Sequence, residues 1–325
     1  MTISANTLRL LAYAMLKGVG PVTQRYIASQ YDIGEATPEY IATEVKPVAR
    51  ALLGKGAWQV ALDRAEQQVE LANHFQTRIL SLHDAEYPEL LRNAKKSPAL
   101  IYLKGRLAKD PTDSVAIIGS RQPTRHSKII AERITSFCTS HGLSIVSGLA
   151  VGCDGIAHRT ALETGAHTVA VLAHGLQTIA PESQRDLAAT IIDSGGALIS
   201  EYSFGTEPSP PLFVQRDKTQ AALVNAVVMV QAGLDGGSLH ASRAALAQGR
   251  WIAVPCPTPH DRRTAPDLVA ANKLITSGPS SEIAKLMQCD TAALQRIVSL
   301  HGREDYPKLL ERIREPALMS NSSLI

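Results

Sequence analysis

Residues 115–162 read VAIIGSRQPTRHSKIIAERITSFCTSHGLSIVSGLAVGCDGIAHRTAL. Two short apolar runs, Val115 to Ile118 and Leu143 to Val146, each end in a turn that contains glycine, and a helical pattern follows each turn. In an open parallel sheet such turns lie at the carboxyl ends of the strands, where helix N-termini bind anions through their N–H groups. The stretch therefore predicts two strand–turn–helix units with two candidate anion-binding turns.

The chain beyond this stretch continues the alternation of strand and helix. Further apolar runs follow at Thr168 to Leu172, Ala197 to Ile199, Val227 to Val230 and Trp251 to Val254. Helical stretches separate most of these runs, and regular alternation of this kind is typical of right-handed crossovers between parallel strands. We therefore expect an α/β fold with a doubly wound, mostly parallel sheet.

Four segments are predicted along the chain. Residues 1–80 show helical spacing, and Gly18-Val19-Gly20-Pro21 indicates a glycine turn between two helices, so we expect a small helical domain of the SAM or helix-hairpin-helix kind. A plain interhelical turn is the alternative for that glycine pair. Residues 81–110 form a connecting segment, within a pattern from Thr77 to Gly105 that reads strand, turn, helix and strand. Residues 111–285 form the Rossmann-like core, and 286–325 a helical, partly disordered tail.

Composition limits the classes of partner and the compartment. The 325 residues are 45% hydrophobic and carry a formal net charge of +3, so nucleic-acid binding requires a local patch rather than a basic surface overall. Cys138, Cys153, Cys256 and Cys289 are scattered without a CxxC pair, which argues against a zinc site and a disulfide framework and favours a cytoplasmic protein. Lys17 interrupts the only apolar stretch near the N-terminus, and no export or membrane segment is expected.

The first candidate turn is Gly119-Ser120-Arg121, with Thr124 one turn further on. It combines a glycine without a side chain, a hydroxyl group, and a guanidinium that can form two hydrogen bonds to phosphate oxygens. An arginine in a solvated loop is the alternative interpretation. The combination predicts a phosphate contact at the end of the first strand.

The second candidate turn is Ser147-Gly148-Leu149-Ala150, which leads into a helix that carries His158. Asp154 is placed to cap this helix, so we expect a structural role for it rather than a catalytic one. His158, near the helix start, either contacts a phosphate or is a buried histidine with its hydrogen bonds satisfied.

A third turn, Gly236-Gly237-Ser238, follows the strand that ends at Val230. Three turns of this kind on neighbouring strand ends predict one shared anion-binding rim. The chain has no GxSxG elbow, no Walker lysine motif, no HExxH, and no GxGxxG followed by an acid at the distance that ribose binding needs. We therefore expect no catalytic residues, no cofactor and no metal ion.

Taken together, these motifs resemble the DNA-processing family called DprA or Smf. Besides the turns, the resemblance is carried by SGLAVGCDGIAH at Ser147 to His158, AVLAHGL at Ala170 to Leu176, LISEYSFGTEP at Leu198 to Pro208, and QGRWIAVPC at Gln248 to Cys256. It covers about residues 80–280 and implies an extended Rossmann-like fold, binding of single-stranded DNA without strong sequence preference, a homodimer, and transfer of DNA to the RecA recombinase. Independently, the aromatic content of 4% favours phosphate contacts over base stacking.

The chain departs from the family pattern in one run of charged residues. The usual Arg-Asn-Arg reads Arg216-Asp217-Lys218 here, so a carboxylate replaces an amide. Arg216 and Lys218 remain candidate phosphate contacts. The winged-helix domain that the family often carries does not fit into the residues after about 285.

Three functions are compatible with the sequence. The first is a non-enzymatic, DprA-like protein that binds single-stranded DNA in DNA processing or recombination. The second is a diverged regulator, such as the antitoxin of an anti-phage toxin–antitoxin pair, whose partner is a toxin. The third is an enzyme like the related cytokinin-activating phosphoribohydrolases (LOG type), although their PGGxGTxxE signature is missing because Leu234 to Leu239 lacks the matching glutamate.

Overall fold

The computed structural model of the protein describes residues 3–94, 96–108, 110 and 113–315. Its N-terminal part is helical and comprises, within the described residues, α1 (Ala5–Met15), α2 (Pro21–Gln30), α3 (Pro38–Glu44), α4 (Lys46–Leu52) and α5 (Ala57–His74). Gly18 adopts a φ of 84° in the turn between α1 and α2, a conformation that glycine reaches without strain. The helical character predicted for the N-terminal part of the chain is confirmed.

A single sheet follows in the described residues. Its strands are β1 (Thr77–Ser81), β2 (Leu100–Gly105), β3 (Ser114–Ile118), β4 (Ser144–Ser147), β5 (Thr168–Leu172), β6 (Ala197–Ser200), β7 (Ala226–Met229), β8 (Trp251–Pro255) and β9 (Ile297–Leu300). They are ordered β1-β2-β6-β5-β4-β3-β7-β8-β9, and only the β1–β2 and β2–β6 pairs are antiparallel. The expected doubly wound, mostly parallel sheet is confirmed.

Helices cover both faces of this sheet. They are α6 (Glu89–Asn93), α7 (Arg125–Ser140), α8 (Cys153–Glu163), α9 (Arg185–Asp193), α10 (Pro210–Ala222), α11 (Ser238–Ala247), α12 (Pro259–Thr264), α13 (Ala270–Ser277), α14 (Ser280–Met287) and α15 (Tyr306–Arg314). Strand β3 shows why the apolar runs are unbroken. Val115 and Ile117 belong to the buried cluster on one face, whereas Ala116 and Ile118 belong to the cluster on the other. A strand buried on both faces needs apolar residues at every position.

The sheet extends beyond the predicted core of residues 111–285 at both ends. Strand β2, in the predicted connecting segment 81–110, pairs with β1 on one edge and β6 on the other. Strand β9, in the predicted helical tail 286–325, pairs in parallel with β8 and was not anticipated. The domain boundaries stay predictions, and the expected disorder at Ser320-Asn321-Ser322-Ser323 lies outside the described residues.

The N-terminal helices pack directly on the sheet. Tyr13 of α1 belongs to the same buried cluster as Tyr102 of β2 and Leu198 of β6. Gln68 of α5 exchanges two hydrogen bonds with the backbone of Phe204, accepting from its N–H at 2.8 Å and donating to its carbonyl at 3.2 Å.

None of the helices in the described part of the chain combines the length and the apolar character that crossing a membrane requires.

Candidate nucleic-acid interface

A cleft opens at the carboxyl ends of the central strands, where the order of the sheet reverses. From β3 the chain proceeds through β4, β5 and β6 on one side and through β7, β8 and β9 on the other. Ligands of doubly wound proteins bind at this switch point. The cleft has a volume of about 490 Å³, and its walls are the turns after β3, β4 and β7 together with the starts of α10 and α11.

Eight of the fourteen predicted contact residues line this cleft, namely Gly119, Ser120, Arg121, Ala150, Arg216, Gly236, Gly237 and Ser238. They come from all three predicted turns and from α10. The remaining six, namely Thr124, Ser147, Gly148, Leu149, His158 and Lys218, do not belong to the lining. The structure thus brings the three turns together, although it assigns several of their members to supporting positions.

The turn after β3 is fixed by its neighbours and leaves one charged side chain exposed. The Ser120 N–H donates to the carbonyl of Gln231 at 3.0 Å, and the Ser120 carbonyl accepts from the Cys153 N–H at 3.1 Å. A Cβ at Gly119 would lie 2.6 Å from Cys153 Sγ, so only glycine fits there. Arg121 is exposed, and its guanidinium carbon lies 5.5 Å from the centre of the Phe213 ring.

Arg216, in contrast, is 6% exposed and bound within the protein. Its Nη1 donates to the carbonyls of Gly148 at 2.7 Å and Val171 at 2.6 Å, and its Nε donates to Asp217 at 3.1 Å. The two bonds to carbonyls connect α10 with the ends of β4 and β5. Arg216 therefore contributes positive charge to the cleft wall, while its hydrogen bonds stabilise the fold.

Asp154 does not cap α8, which corrects the expectation from the sequence. Its Oδ2 instead accepts from the N–H groups of Gly148 at 3.1 Å and Ala150 at 3.4 Å, and α8 begins after Gly152 without a side-chain cap. Asp154 thus stabilises the turn after β4 by accepting hydrogen bonds from two of its backbone N–H groups. Its structural role was anticipated, but the hydrogen-bond partners were not.

His158 is not available to a phosphate group. It is fully buried, and its Nδ1 lies 2.7 Å from Thr168 Oγ1. Burial lowers the pKa of His158 to about 3, so the imidazole is neutral at physiological pH. The histidine is a structural link between α8 and β5, because the turn that precedes α8 directs this face of the helix towards the sheet.

The other predicted contacts outside the lining also have structural roles or lie on the surface. The Thr124 hydroxyl accepts from the Ser127 N–H and caps α7, and the Ser147 hydroxyl donates to the Ile117 carbonyl at 2.6 Å. Leu149 is buried with a φ of 60°, which places its side chain in the core. Lys218 is exposed and donates to Gln215 at 3.1 Å.

Twelve further lining residues were not predicted as contacts, and three of them offer an aromatic ring or a side-chain amide to a ligand, namely Phe213, Gln220 and Gln231. Gln231 lies two residues after the end of β7, so the rule that ligands meet the carboxyl ends of parallel strands could have found it. Phe213 lies between two guanidinium groups, since Arg216 Cζ is 5.9 Å from its ring centre and Arg121 lies as described above. Its place in the cleft depends on how α10 packs, which the sequence does not show.

The carboxyl groups in the cleft wall retain protons more readily than exposed ones. Burial raises the pKa of Asp154 to about 6, although the nearby Arg216 opposes the shift. Burial also raises the pKa of Asp217, again against the effect of Arg216. Within the described residues, no group of three or more histidine, cysteine, aspartate or glutamate side chains is arranged to hold a metal ion.

A cleft at the switch point of a doubly wound, mostly parallel sheet places the chain among Rossmann-like proteins. A family model described as DNA recombination-mediator protein A matches residues 78–291. The chain belongs to this family, and the resemblance to DprA and Smf proteins is confirmed.

Individual relatives agree with this assignment. Protein Smf of Escherichia coli (strain K12) is 32% identical over 202 residues, which cover 62% of this chain and 54% of that protein. DNA processing protein DprA of Bacillus subtilis (strain 168) is 32% identical over 178 residues, which cover 54% of this chain and 60% of that protein. The matched region thus spans little more than half the length of these relatives.

Two solved structures are similar to the whole chain or most of it. DprA from Streptococcus pneumoniae superposes with a TM-score of 0.68 at 24% identity, covering 95% of this chain and 98% of that one, which shows the shared fold. DNA processing protein A from Helicobacter pylori superposes with a TM-score of 0.57 at 26% identity, covering 73% and 97%. The latter structure concerns the single-stranded DNA binding mode of the Helicobacter protein.

Proposed function

We propose that this protein binds single-stranded DNA through phosphate contacts in the cleft and does so without catalysing a reaction. The observation that carries the proposal is the convergence of exposed Arg121, the turn Gly236-Gly237-Ser238 and Gln231 in one cleft. At the start of α11 the Leu239 and His240 N–H groups donate to the carbonyls of Gly236 and Gly237, and the helix dipole adds a partial positive charge there. Each feature favours an anion rich in acceptor oxygens.

Gln231 supplies the most specific indication of the ligand. Its side chain is buried, and its Oε1 accepts from the Thr124 N–H at 2.9 Å, which fixes the orientation of the amide. Within the described residues, Gln231 Nε2 finds no acceptor, and neither does Nε2 of Gln220 in the same cleft. A buried donor left without a partner costs about 1–3 kcal/mol. A ligand that brings acceptors close to these amides, as a phosphate group does, relieves that cost.

Phosphate contacts fit the cleft better than base stacking does. Phe213 is the single phenylalanine, tyrosine or tryptophan among the lining residues, and two arginines already lie near its ring. Single-strand binding by stacking uses several exposed rings in succession. The relative from Helicobacter pylori supports the same class of ligand, since its structure concerns binding of single-stranded DNA.

The proposal includes a homodimer and transfer of the bound strand to the RecA recombinase, as the family resemblance implies. It also includes the cytoplasmic location that four free cysteines favour. The antitoxin role is a second candidate, favoured by Asp217, because a carboxylate in the cleft weakens attraction for a polyanion. In that case the partner is a cognate toxin.

A substitution at Gly237 tests the cleft without disturbing the fold. This glycine lines the cleft with helical dihedral angles, and a Cβ there meets nothing within 4 Å. Gly237→Glu places a carboxylate in the cleft, and Gly237→Ala is the matched control. Fluorescence anisotropy with a labelled long oligothymidine at low salt should show tight binding by wild type and by Gly237→Ala.

The glutamate variant should bind about tenfold more weakly or worse, because like charges repel across a few ångströms of low-dielectric space. If wild type fails to bind at low salt, or if Gly237→Glu binds as wild type does, the proposed function is wrong.

A further inference from the structure

Buried charge in the wall of the cleft is not balanced. Asp154, Arg216 and Asp217 are 7%, 6% and 15% exposed, the last value for the side chain. Arg216 Nε donates to Asp217 at 3.1 Å. A Cβ built on Gly148 would collide with both Arg216 Nη1 and Asp154 Oδ2, so these two atoms adjoin the same backbone position. Two carboxyl groups therefore lie near one guanidinium, with which Asp217 forms an ion pair, and we call these three residues the charge cluster.

The surroundings of the charge cluster add no buried cation. The titratable groups that interact with it are Arg121 after β3, Cys153 and His158 of α8, and Glu201 and Tyr202 after β6. Lys218 of α10 interacts with Glu201, and the exposed His240 of α11 lines the same cleft. Arg121 and Lys218 are exposed, so solvent screens their charge. His158 is neutral, and Glu201 is a third carboxyl group with a raised pKa. Buried or partly buried carboxyl groups thus outnumber the buried guanidinium three to one.

An anion that enters the cleft worsens this imbalance. A carboxyl group without a full counter-charge retains its proton more strongly, which agrees with the pKa of about 6 for Asp154 and the raised pKa of Asp217. A phosphate group close by adds one more negative charge and raises both values further. Protonation of one carboxyl group weakens that repulsion, because a single carboxylate of the charge cluster then remains beside Arg216.

We propose that the cleft takes up a phosphodiester group together with a proton, which Asp154 or Asp217 of the charge cluster accepts. The inference rests on the proposed function, because the phosphodiester is that of single-stranded DNA. Because binding takes up a proton, the affinity for DNA rises as the pH falls from 8 towards 6, by up to about tenfold per pH unit for one proton. Below the pKa of the empty cleft, near 6 for Asp154, the proton is already bound and affinity levels off.

Oligothymidine is the appropriate probe because neither its phosphodiesters nor its thymine bases titrate between pH 6 and 8. Anisotropy titrations at constant low salt should show wild-type affinity increasing about tenfold or more from pH 8 to pH 6. Asp217→Asn keeps an oxygen for Arg216 and removes one buried charge. This variant should bind about tenfold more tightly than wild type at pH 8, with a flatter dependence on pH.

Asp235→Asn is the matched control, since Asp235 is an exposed carboxylate next to Gly236 that does not line the cleft. It changes the net charge equally and should keep the wild-type pH dependence. If Asp235→Asn flattens the dependence as much as Asp217→Asn does, long-range charge rather than the charge cluster is responsible, and the inference is overturned.

Calorimetry measures the proton directly and needs only the wild-type protein. The heat of oligothymidine binding at pH 7, recorded in two buffers of different ionisation enthalpy, should differ in proportion to the protons taken up. Equal heats, or equal affinities at pH 6 and pH 8, overturn proton uptake and leave DNA binding intact. Absence of binding at every pH at low salt overturns the proposed function and the inference with it.

Discussion

The substitution Arg121→Ala tests whether the exposed arginine of the cleft, rather than the buried Arg216, contacts a phosphate group. Arg216 already donates to two carbonyls and to Asp217, whereas Arg121 is exposed and forms no ion pair with the described residues. Arg121 is therefore the guanidinium that can reach a phosphate. Because an exposed side chain contributes little to folding, the substitution should change the free energy of unfolding by no more than about 0.5 kcal/mol.

The expected loss of DNA affinity is that of one charge-assisted hydrogen-bonded contact between Arg121 and a phosphate group. Such contacts contribute about 1.5–3 kcal/mol, so Arg121→Ala should weaken oligothymidine binding by roughly 10- to 150-fold at low salt. One phosphate contact on a single strand also contributes about 0.7 to the slope of log affinity against log salt. The slope of the variant should therefore be about 0.7 shallower than that of wild type.

Arg125→Ala is the matched control, because Arg125 is exposed at the start of α7 and does not line the cleft. It should leave the affinity within about twofold, since it alters only a solvent-screened charge outside the cleft lining. Titrations at four or five salt concentrations measure both quantities. Equal losses for the two variants, or a salt slope that Arg121→Ala does not change, would refute the assignment of Arg121 as the phosphate contact.

Three further outcomes are expected. Gly148→Ala forces a Cβ into contact with the buried Arg216 guanidinium and should lower the free energy of unfolding by about 2–4 kcal/mol in urea titrations, and a change below about 1 kcal/mol would contradict this crowding. His158 has a pKa of about 3 in the folded protein against an ordinary value of 6.5, so protonation favours the unfolded chain and stability falls as the pH drops below about 6.5. His158→Asn should reduce that acid sensitivity, and an unchanged slope between pH 6.5 and 4 would show that the histidine is not the cause. Thiol labelling followed by mass spectrometry should modify Cys256 and Cys289 in the folded protein and the two buried cysteines only after unfolding, whereas equal labelling of all four would contradict the burial.

Strand-to-helix alternation was readable from the sequence because the central strands are buried on both faces. The run at Val115 to Ile118 is apolar at every position for that reason, and its interpretation as β3 is confirmed. Strand β9 reads Ile297-Val298-Ser299-Leu300 with alternating burial, and it follows a polar stretch. A four-residue edge strand gives too short a pattern to distinguish from a helix end.

The site was predictable in location but not in the role of each side chain. Turns at the carboxyl ends of β3, β4 and β7 must converge at the switch point of the sheet, so Gly119 to Arg121 and Gly236 to Ser238 could be assigned to one rim. Whether a guanidinium faces the solvent or the interior depends on tertiary packing. Arg121 and Arg216 look alike in the sequence, yet one is exposed and the other is bound to backbone carbonyls.

The hydrogen bonds between Gln68 and Phe204 bear on how the chain unfolds. Helices α1 and α5 share one buried cluster with strands β2, β5 and β6, so their contacts are lost or kept together with those of the sheet. Contacts shared in this way make a chain melt in one cooperative transition instead of two. A fragment limited to residues 78–291 would lack the helices that cover Tyr102 and Leu198. The apolar surface exposed in this way would make the fragment prone to aggregation.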